Sequence, residues 1–362
     1  MSELDKPPGS ITAVIVNHNG GEQIVRSIAH LEAQQLRPQT ILVVDNGSTD
    51  GSRQAAAQAS SKVRVIALGA NLGPSIARNR GIREATGELV LLVDDDVYLA
   101  PDCTAKLARH LRDPAVAVAV PRLILHPEDR LIQLDGADTH VVGAMILHNA
   151  RLEAAATPAE ITSVGAISTS CVLARRRTLL EAGGLDENYF IYLEDQELGL
   201  RLRVLGHDII CDATAIAYHD RGAGTPGLSF RDQGTYPKRR AYLTMRNRWQ
   251  TILIHYRWRT LLLLAPVLLL YEAASLALAI RRGWLQPWWQ AWVWLVQNQR
   301  SLRRRRRFVA THRKRSAGSL LVCGPLPLAP GVVDQGLEAR AVAALTLIIQ
   351  GYWRLVRPLV AR

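Results

Sequence analysis

Residues 11–50 read ITAVIVNHNGGEQIVRSIAHLEAQQLRPQTILVVDNGSTD, and residues 87–97 read GELVLLVDDDV. In each stretch an apolar, β-branched run stops abruptly at polar, turn-forming residues. Ile11–Val16 is such a run, Glu22–Ala33 has helical character, and Thr40–Val44 is a second strand. It is closed by Asp45-Asn46-Gly47-Ser48-Thr49-Asp50-Gly51, a dense turn signal. Working outward, the pattern predicts a helix over Ser52–Ala59, a strand at Val63–Leu68, a helix over Pro74–Ala85 and an apolar strand at Glu88–Val93. That last strand runs into Asp94-Asp95-Asp96. Short apolar strands alternating with helices predict an α/β fold, its mostly parallel sheet covered by helices on both faces. Ligands of such sheets bind beyond the carboxyl ends of the strands. Three of those ends carry Asn17, Asp45 and Asp94–Asp96.

Downstream, residues 121–165 are less legible, mixing short apolar runs with His126, Asp135, Asp138 and His140. Val164–Ala174 is a small-residue apolar segment. A helix is expected from about Asp195 to Leu205, with Gly206 as its stop. Ile209–Ile210 and Ala213–Tyr218 read as closing strand pieces that end at His219.

With 362 residues, 48% of them hydrophobic and 21% charged, the chain is not disordered and has room for one large domain and a second element. Its net charge of +12 is unevenly spread. Residues 1–230 hold 21 Lys+Arg against 28 Asp+Glu, a balance of −7, and residues 231–362 hold 23 against 4, a balance of +19. All eight Trp lie in that basic part. The four Cys (103, 171, 211 and 323) form no C-x-x-C pair or His/Cys cluster, which argues against a structural zinc and a disulfide framework. The N-terminus, with two acids and two prolines before its first apolar run, does not read as a signal peptide, so a cytoplasmic body is expected.

Thr260–Ile280 is apolar for 21 residues, interrupted by Pro266 and Glu272. About 20 residues span a bilayer, but an acid near the helix centre costs about 2.5–3.5 kcal/mol. A Trp cluster at 284–294 and the basic runs Arg303–Arg307 and Arg313-Lys314-Arg315 follow. Indoles favour the headgroup level, and each cation near an anionic surface adds about 1 kcal/mol. The reading is attachment to the cytoplasmic face of a membrane with an anionic surface, re-entrant, in-plane or as a single span. A nucleic-acid-binding protein is the rival reading of the same charge; basic residues adjoining a Trp-rich apolar segment favour the membrane, and no nucleic-acid partner is expected.

Asp94-Asp95-Asp96 places alternate carboxylates on one side of the chain, so Asp94 and Asp96 can face one ligand. Hard oxygens of this kind suit Mg²⁺ or Mn²⁺. No G-x-x-x-x-G-K-[ST] motif is present. The ordered elements VIVNHN, VVDNGSTDGS, NLGPSIARNRG and LLVDDDV resemble the family 2 glycosyltransferases, enzymes of the GT-A fold that use nucleotide-sugar donors. Gly183-Gly184-Leu185-Asp186-Glu187, Tyr192-Leu193-Glu194-Asp195, Leu200-Arg201-Leu202-Arg203, Gly206 and His219 resemble that family's second block, with Leu185 in place of the usual Phe. Together the blocks cover about residues 11–220.

The resemblance implies roles. Asn17, Asp45, Asn71, Arg78, Asp94 and Asp95 would bind the donor, with Asp45 on the nucleobase and Asp94 on the ribose or base. Asp96 would ligate the metal (Mg or Mn) with His219 as second ligand, and Asp195 would be the general base of an inverting transfer, with Glu194 as substitute or partner. The residues alone leave alternatives: Asp195 could cap its helix, and His219 could be a core histidine. Tyr242, Arg246 and Asn247, just before the apolar segment, resemble an element of membrane-attached family members and would meet the acceptor at the membrane border. An amphipathic connector is the other reading of that stretch.

The expected organisation is a tail (1–10), a GT-A catalytic domain (11–225), an amphipathic connector (226–256), apolar Trp-rich membrane-associated helices (257–300) and a basic region (301–362). The expected reaction is metal-dependent transfer from a nucleotide sugar, dTDP-rhamnose or a UDP-sugar, to a lipid-linked or cell-surface glycan acceptor. A catalytically silent membrane scaffold of the same fold is the alternative.

Overall fold

The computed structural model describes residues 9–220, 236–328, 332–333 and 336–361. Most of the expected tail and the expected boundary between 225 and 226 lie outside the described residues. The chain separates into two compact units, the first Met1–Ala137, Leu147–Leu202 and His207–Gly222, the second Asp138–Ile146, Arg203–Gly206 and Ala223–Arg362.

In the first unit the elements run β1 (Ile11–Asn17), α1 (Gln23–Glu32), β2 (Thr40–Asp45), α2 (Ser52–Ala59), β3 (Val63–Ala67), α3 (Pro74–Glu84), β4 (Leu89–Asp94), β5 (Val97–Leu99), α4 (Cys103–His110), β6 (Val116–His126) and β7 (Ile132–Leu134). After β8 (Ala137–His140) and β9 (Met145–Leu147), most of which belong to the second unit, come β10 (Ile161–Ser163), β11 (Cys171–Arg175), α5 (Arg176–Glu181), α6 (Glu194–Val204) and β12 (Asp208–Asp220). The main sheet has the order β10-β12-β6-β11-β4-β1-β2-β3, with β5 on β12 and β7 on β6. The first four pattern-predicted strands are parallel: β1 lies between β2 and β4, and β3 pairs with β2. The second half is mixed, since β11 runs antiparallel to β4 and β6 while β12 is parallel to β6.

Register decides where the polar residues meet. Asn17 pairs with Asp45, and Val16 with Asp94, so three strand ends stop at one edge. The interior of these strands is fully buried, which is why they read as continuous apolar runs. Helix α1 seals one face with Ile24, Ile28 and Leu31, a 3.6-residue stripe. Each such burial contributes about 1.5–3 kcal/mol. Helix α3 packs so near β1 that a Cβ on Gly81 would lie 2.2 Å from Val14 Cγ1.

Two readings change. The pieces at 209–210 and 213–218 are one strand, β12, broken in register between Asp208 and Ile209 and between Asp212 and Ile216; this interruption hid its length. Of the small-residue segment 164–174, only the end enters a strand, β11.

The second unit is largely helical: α7 (Lys238–His255), α8 (Trp258–Arg281), α9 (Leu285–Gln297), α10 (Gln299–His312), the short α11 (Ala317–Leu320) and α12 (Leu337–Val360), with β13 (Leu321–Val322) in a small sheet of order β13-β8-β9. Ile252, Tyr256, Leu264, Leu268, Ile349 and Trp353 belong to its core. Among the described residues, α8 is the helix long and apolar enough to cross a membrane, and only 17% of its most apolar 18 residues are buried. Its central acid is not bare. Glu272 accepts hydrogen bonds from Arg248, from Trp249 Nε1 at 2.9 Å and from Trp288 Nε1 at 2.8 Å. The acid that weighed against lipid burial therefore has a cation and two indoles around it.

Candidate active site

The carboxyl edge of β1, β2 and β4 carries a connected polar layer. Asn17, fully buried, donates through Nδ2 to Asp45 Oδ1, Ser48 Oγ and Ser52 Oγ, each at 3.0 Å. Asp45 is itself 1% exposed and also accepts the Ser48 N–H. Two residues that sequence reasoning left without roles extend this layer. Asn46 donates to Asn71 Oδ1 (3.0 Å) and accepts Leu72 N–H (2.9 Å). His18 meets Asn46 O through Nδ1 and Asn71 through Nε2, each at 3.0 Å. The turns after β1, β2 and β3 are thus tied together by amide side chains, whose paired donor and acceptor suit such bridging.

The acidic triplet divides its labour. Asp95 is turned to the β1–α1 turn and accepts the His18 N–H at 3.0 Å. Burial, reinforced by the neighbouring Asp96 charge, raises its pKa well above the ordinary carboxylate range. Asp94 accepts a 2.6 Å hydrogen bond from Arg78 Nη2. Asp96 lies 3.2 Å from His219 Nε2. The antiparallel pairing of β12 with β5 sets His219 opposite Val97 and brings the histidine to the triplet. One ligand atom from each of Asp94, Asp96 and His219 falls within a 4.8 Å set. Mg²⁺ binds oxygen at about 2.1 Å, so opposite ligands of such an ion stand about 4.2 Å apart. Two carboxylates and an imidazole at this spacing fit a hard or borderline divalent cation.

Arg78, 6% exposed on α3, also reaches Glu194 Oε1 at 3.5 Å. One guanidinium therefore spans the triplet and the start of α6. Glu194 and Asp195 open that helix, and both are shifted. Burial, then the charge of Asp195, pushes Glu194 up to about 8, and burial pushes Asp195 up to about 6. Asp195 Oδ1 accepts the Gln196 N–H at 2.8 Å. The approach to this pair is strained: Phe190, Tyr192 and Leu193 all have φ between 63° and 71°. Each such non-glycine residue costs on the order of 1–3 kcal/mol, a burden concentrated at functional segments.

The second sequence block proves to be the mount for this strained turn. Arg201, fully buried on α6, pairs with Glu197 at 2.8 Å and donates to Ala182 O at 2.5 Å and Gly184 O at 2.6 Å. Asn79 exchanges hydrogen bonds with Leu185 N and O at 2.8 and 2.9 Å. Gly184 sits at φ +66°, where a Cβ would stand 2.4 Å from Asn79 Oδ1. Periodicity could not separate Arg201 from a solvated arginine; the Glu197–Arg201 spacing of four was the available signal.

Tyr242, Arg246 and Asn247 form a separate cluster on α7 in the second unit. Arg246 donates to Asn247 Oδ1 at 2.9 Å and Tyr242 OH at 3.4 Å, and its guanidinium stands 4.6 Å from the Trp294 ring centroid. Arg246 and Asn247 are buried.

Comparison with known proteins now bears on this geometry. The family model "Glycosyl transferase family 2" matches residues 12–181. An N-acetylglucosaminyl-diphospho-decaprenol L-rhamnosyltransferase of Mycobacterium tuberculosis is 32% identical over 243 residues, covering 59% of this chain and 77% of the relative. The chain belongs to glycosyltransferase family 2. Two solved structures share the fold of this family 2 enzyme. GalNAc-T7, determined with UDP, GalNAc and Mn²⁺, has a TM-score of 0.55 at 16% identity, over 70% of this chain and about half (49%) of its own. Mannosyltransferase PcManGT from Pyrobaculum calidifontis, with GDP-Man and Mn²⁺, has a TM-score of 0.51 at 17% identity, over 86% and 90%. The first unit of the glycosyltransferase is thus of the GT-A type, as its sequence motifs implied.

Proposed function

We propose that this glycosyltransferase moves a sugar from a nucleotide-sugar donor to a lipid-linked acceptor with a divalent metal, Mg²⁺ or Mn²⁺, and inversion at the anomeric carbon. The observation that carries the reading is the Asp94–Asp96–His219 set, joined by Arg78 to the Glu194–Asp195 pair. Asp96 and His219, with Asp94, would hold the cation. When bound, it would stabilise the negative charge of the departing nucleoside diphosphate. Asp45 and Asn17 order the turn against which the nucleoside would bind. Asp195 takes the acceptor hydroxyl proton: with its pKa near 6 it is ionised at neutral pH yet more basic than an ordinary carboxylate. Glu194, held nearer its protonated form, adds little competing charge beside it.

The mycobacterial relative's lipid-linked substrate and rhamnosyl activity support a polyprenyl-type acceptor and make dTDP-rhamnose the first donor to try, with a UDP-sugar second. Helix α8 and the basic second unit support attachment at the cytoplasmic face, where nucleotide sugars are made. Calorimetry with UDP, dTDP and GDP, with Mn²⁺ and with chelator, tests the donor site. Metal-dependent binding of one nucleotide is expected and should vanish in Asp96→Ala; binding indifferent to both chelator and that substitution would remove the metal from the mechanism.

A further inference from the structure

At the amino end of α8 the second unit holds a cavity of about 870 Å³. Six cations line it, Arg257, Arg259, Arg306, Arg313, Lys314 and Arg315, and among the described residues no acid does. Two of the guanidiniums are held in place. Arg306 donates to Leu253 O at 2.5 Å and lies 4.6 Å from the Trp258 ring centroid; Arg313 donates to His255 O at 2.8 Å. These carbonyls close the last turn of α7 and its C-terminus. They orient the cations without neutralising them. Two acids described in this unit are engaged elsewhere, Glu272 with Arg248 and Glu338 with Arg281 and Arg282. Burial lowers the pKa of Arg306, and burial followed by the charges of Arg257 and Arg306 lowers that of Arg313. Arg313 Nη1 and Ser316 Oγ are buried without a hydrogen-bond partner among the described residues. The first backbone N–H groups of α8 add donors at the same rim.

An exposed apolar stripe leaves from this rim. Trp258, Leu262, Leu269 and Ile280 are 61–75% exposed and stand 4, 7 and 11 residues apart, one face of the helix along its whole length. A soluble anion would use the cations and leave the stripe bare; an anionic lipid uses both.

We propose that this cavity is a discrete binding site for the phosphate headgroup of an anionic lipid, whose acyl chain follows the Trp258–Ile280 stripe of α8. The inference rests on the membrane attachment proposed above and narrows it from a diffuse charge effect to a saturable pocket. Planar guanidiniums held apart by fixed carbonyl contacts suit a phosphate that presents several oxygens.

The test uses the full chain and dihexanoyl phosphatidic acid below its micelle concentration, read by Trp fluorescence and calorimetry. Expected is saturable, one-to-one binding, at least about tenfold tighter than dihexanoyl phosphatidylcholine or pyrophosphate. Arg306→Gln/Arg313→Gln should weaken it at least about tenfold more than Arg303→Gln/Arg304→Gln, which removes the same charge from the exposed side of α10. Equal losses in the two double variants would leave only diffuse electrostatics and overturn the site. Pyrophosphate binding as tightly as the lipid would overturn the lipid as ligand. Should the pocket variant fail to fold, the wild-type series decides alone. Mn²⁺-dependent nucleotide binding, measured on the same samples, reports the sugar-transfer reading separately, so failure of one is distinguishable from failure of the other.

Discussion

The buried arginines of the first unit and the half-buried arginines of the α8 cavity are held in opposite ways. In the first unit Arg78 meets Asp94 and Glu194, Arg122 forms a two-pronged pair with Asp135, and Arg201 pairs with Glu197. In the second, Arg248 also pairs with a carboxylate, Glu272, but the cavity residues Arg306 and Arg313 rest on neutral carbonyl oxygens. A charge withdrawn from water needs a partner or loses much of its solvation. These three arginines of the first unit are therefore paired within it. Arg306 and Arg313 have no carboxylate partner among the described residues, and that is where our proposal puts the lipid phosphate.

The largest effect that sharpens this contrast concerns the base. Asp195→Asn should keep nucleotide binding while lowering transfer by about 10²–10⁴-fold. In the wild type, kcat/KM should fall as pH drops through about 6, because protonation removes the base. A flat profile with full activity in the variant would move the role to Glu194. Next, Arg201→Met leaves Glu197 buried without its cation and should cost about 3–5 kcal/mol by denaturant unfolding. A cost below about 1 kcal/mol would break the claim that the first unit depends on internal pairing. Glu272→Gln should cost about 1–3 kcal/mol in detergent, because Arg248 loses its carboxylate and one of the two indoles, which use different carboxylate oxygens, is left facing an amide N–H. Smallest is Arg303→Gln, exposed on α10, which should stay within about 0.5 kcal/mol. If it matched Arg201→Met, burial would not be what separates the two groups of arginines.

Legibility followed the range of the interactions. The strands β1, β2 and β4 and their polar ends were readable because apolar run and turn chemistry lie side by side in the chain. Asp94, Asp96 and His219 were named from motif order, and strand pairing explains how residues 123 positions apart come together. By contrast, residues 121–165 hold β7 to β10, each three or four residues long. They are fixed by distant partners such as the Ala137–Ala166 bridge and the Arg122–Asp135 pair. No local periodicity encodes that. The mounting roles of Asn79, Asn46 and His18 were hidden for the same reason: their partners lie 25 to 106 residues away.

The surroundings of Glu272 also set an order of events during synthesis. Its partners Arg248 and Trp249 are made before it, on α7, but Trp288 follows it, on α9. Until Trp288 has emerged from the ribosome and α9 has formed, the α8 carboxylate lacks one of its three donors. Entry of that helix into lipid is then costlier than it becomes once α9 has folded back. The proposed membrane attachment would thereby be coupled to completion of the α7–α8–α9 assembly, and a chain truncated before residue 288 would be the form least suited to it.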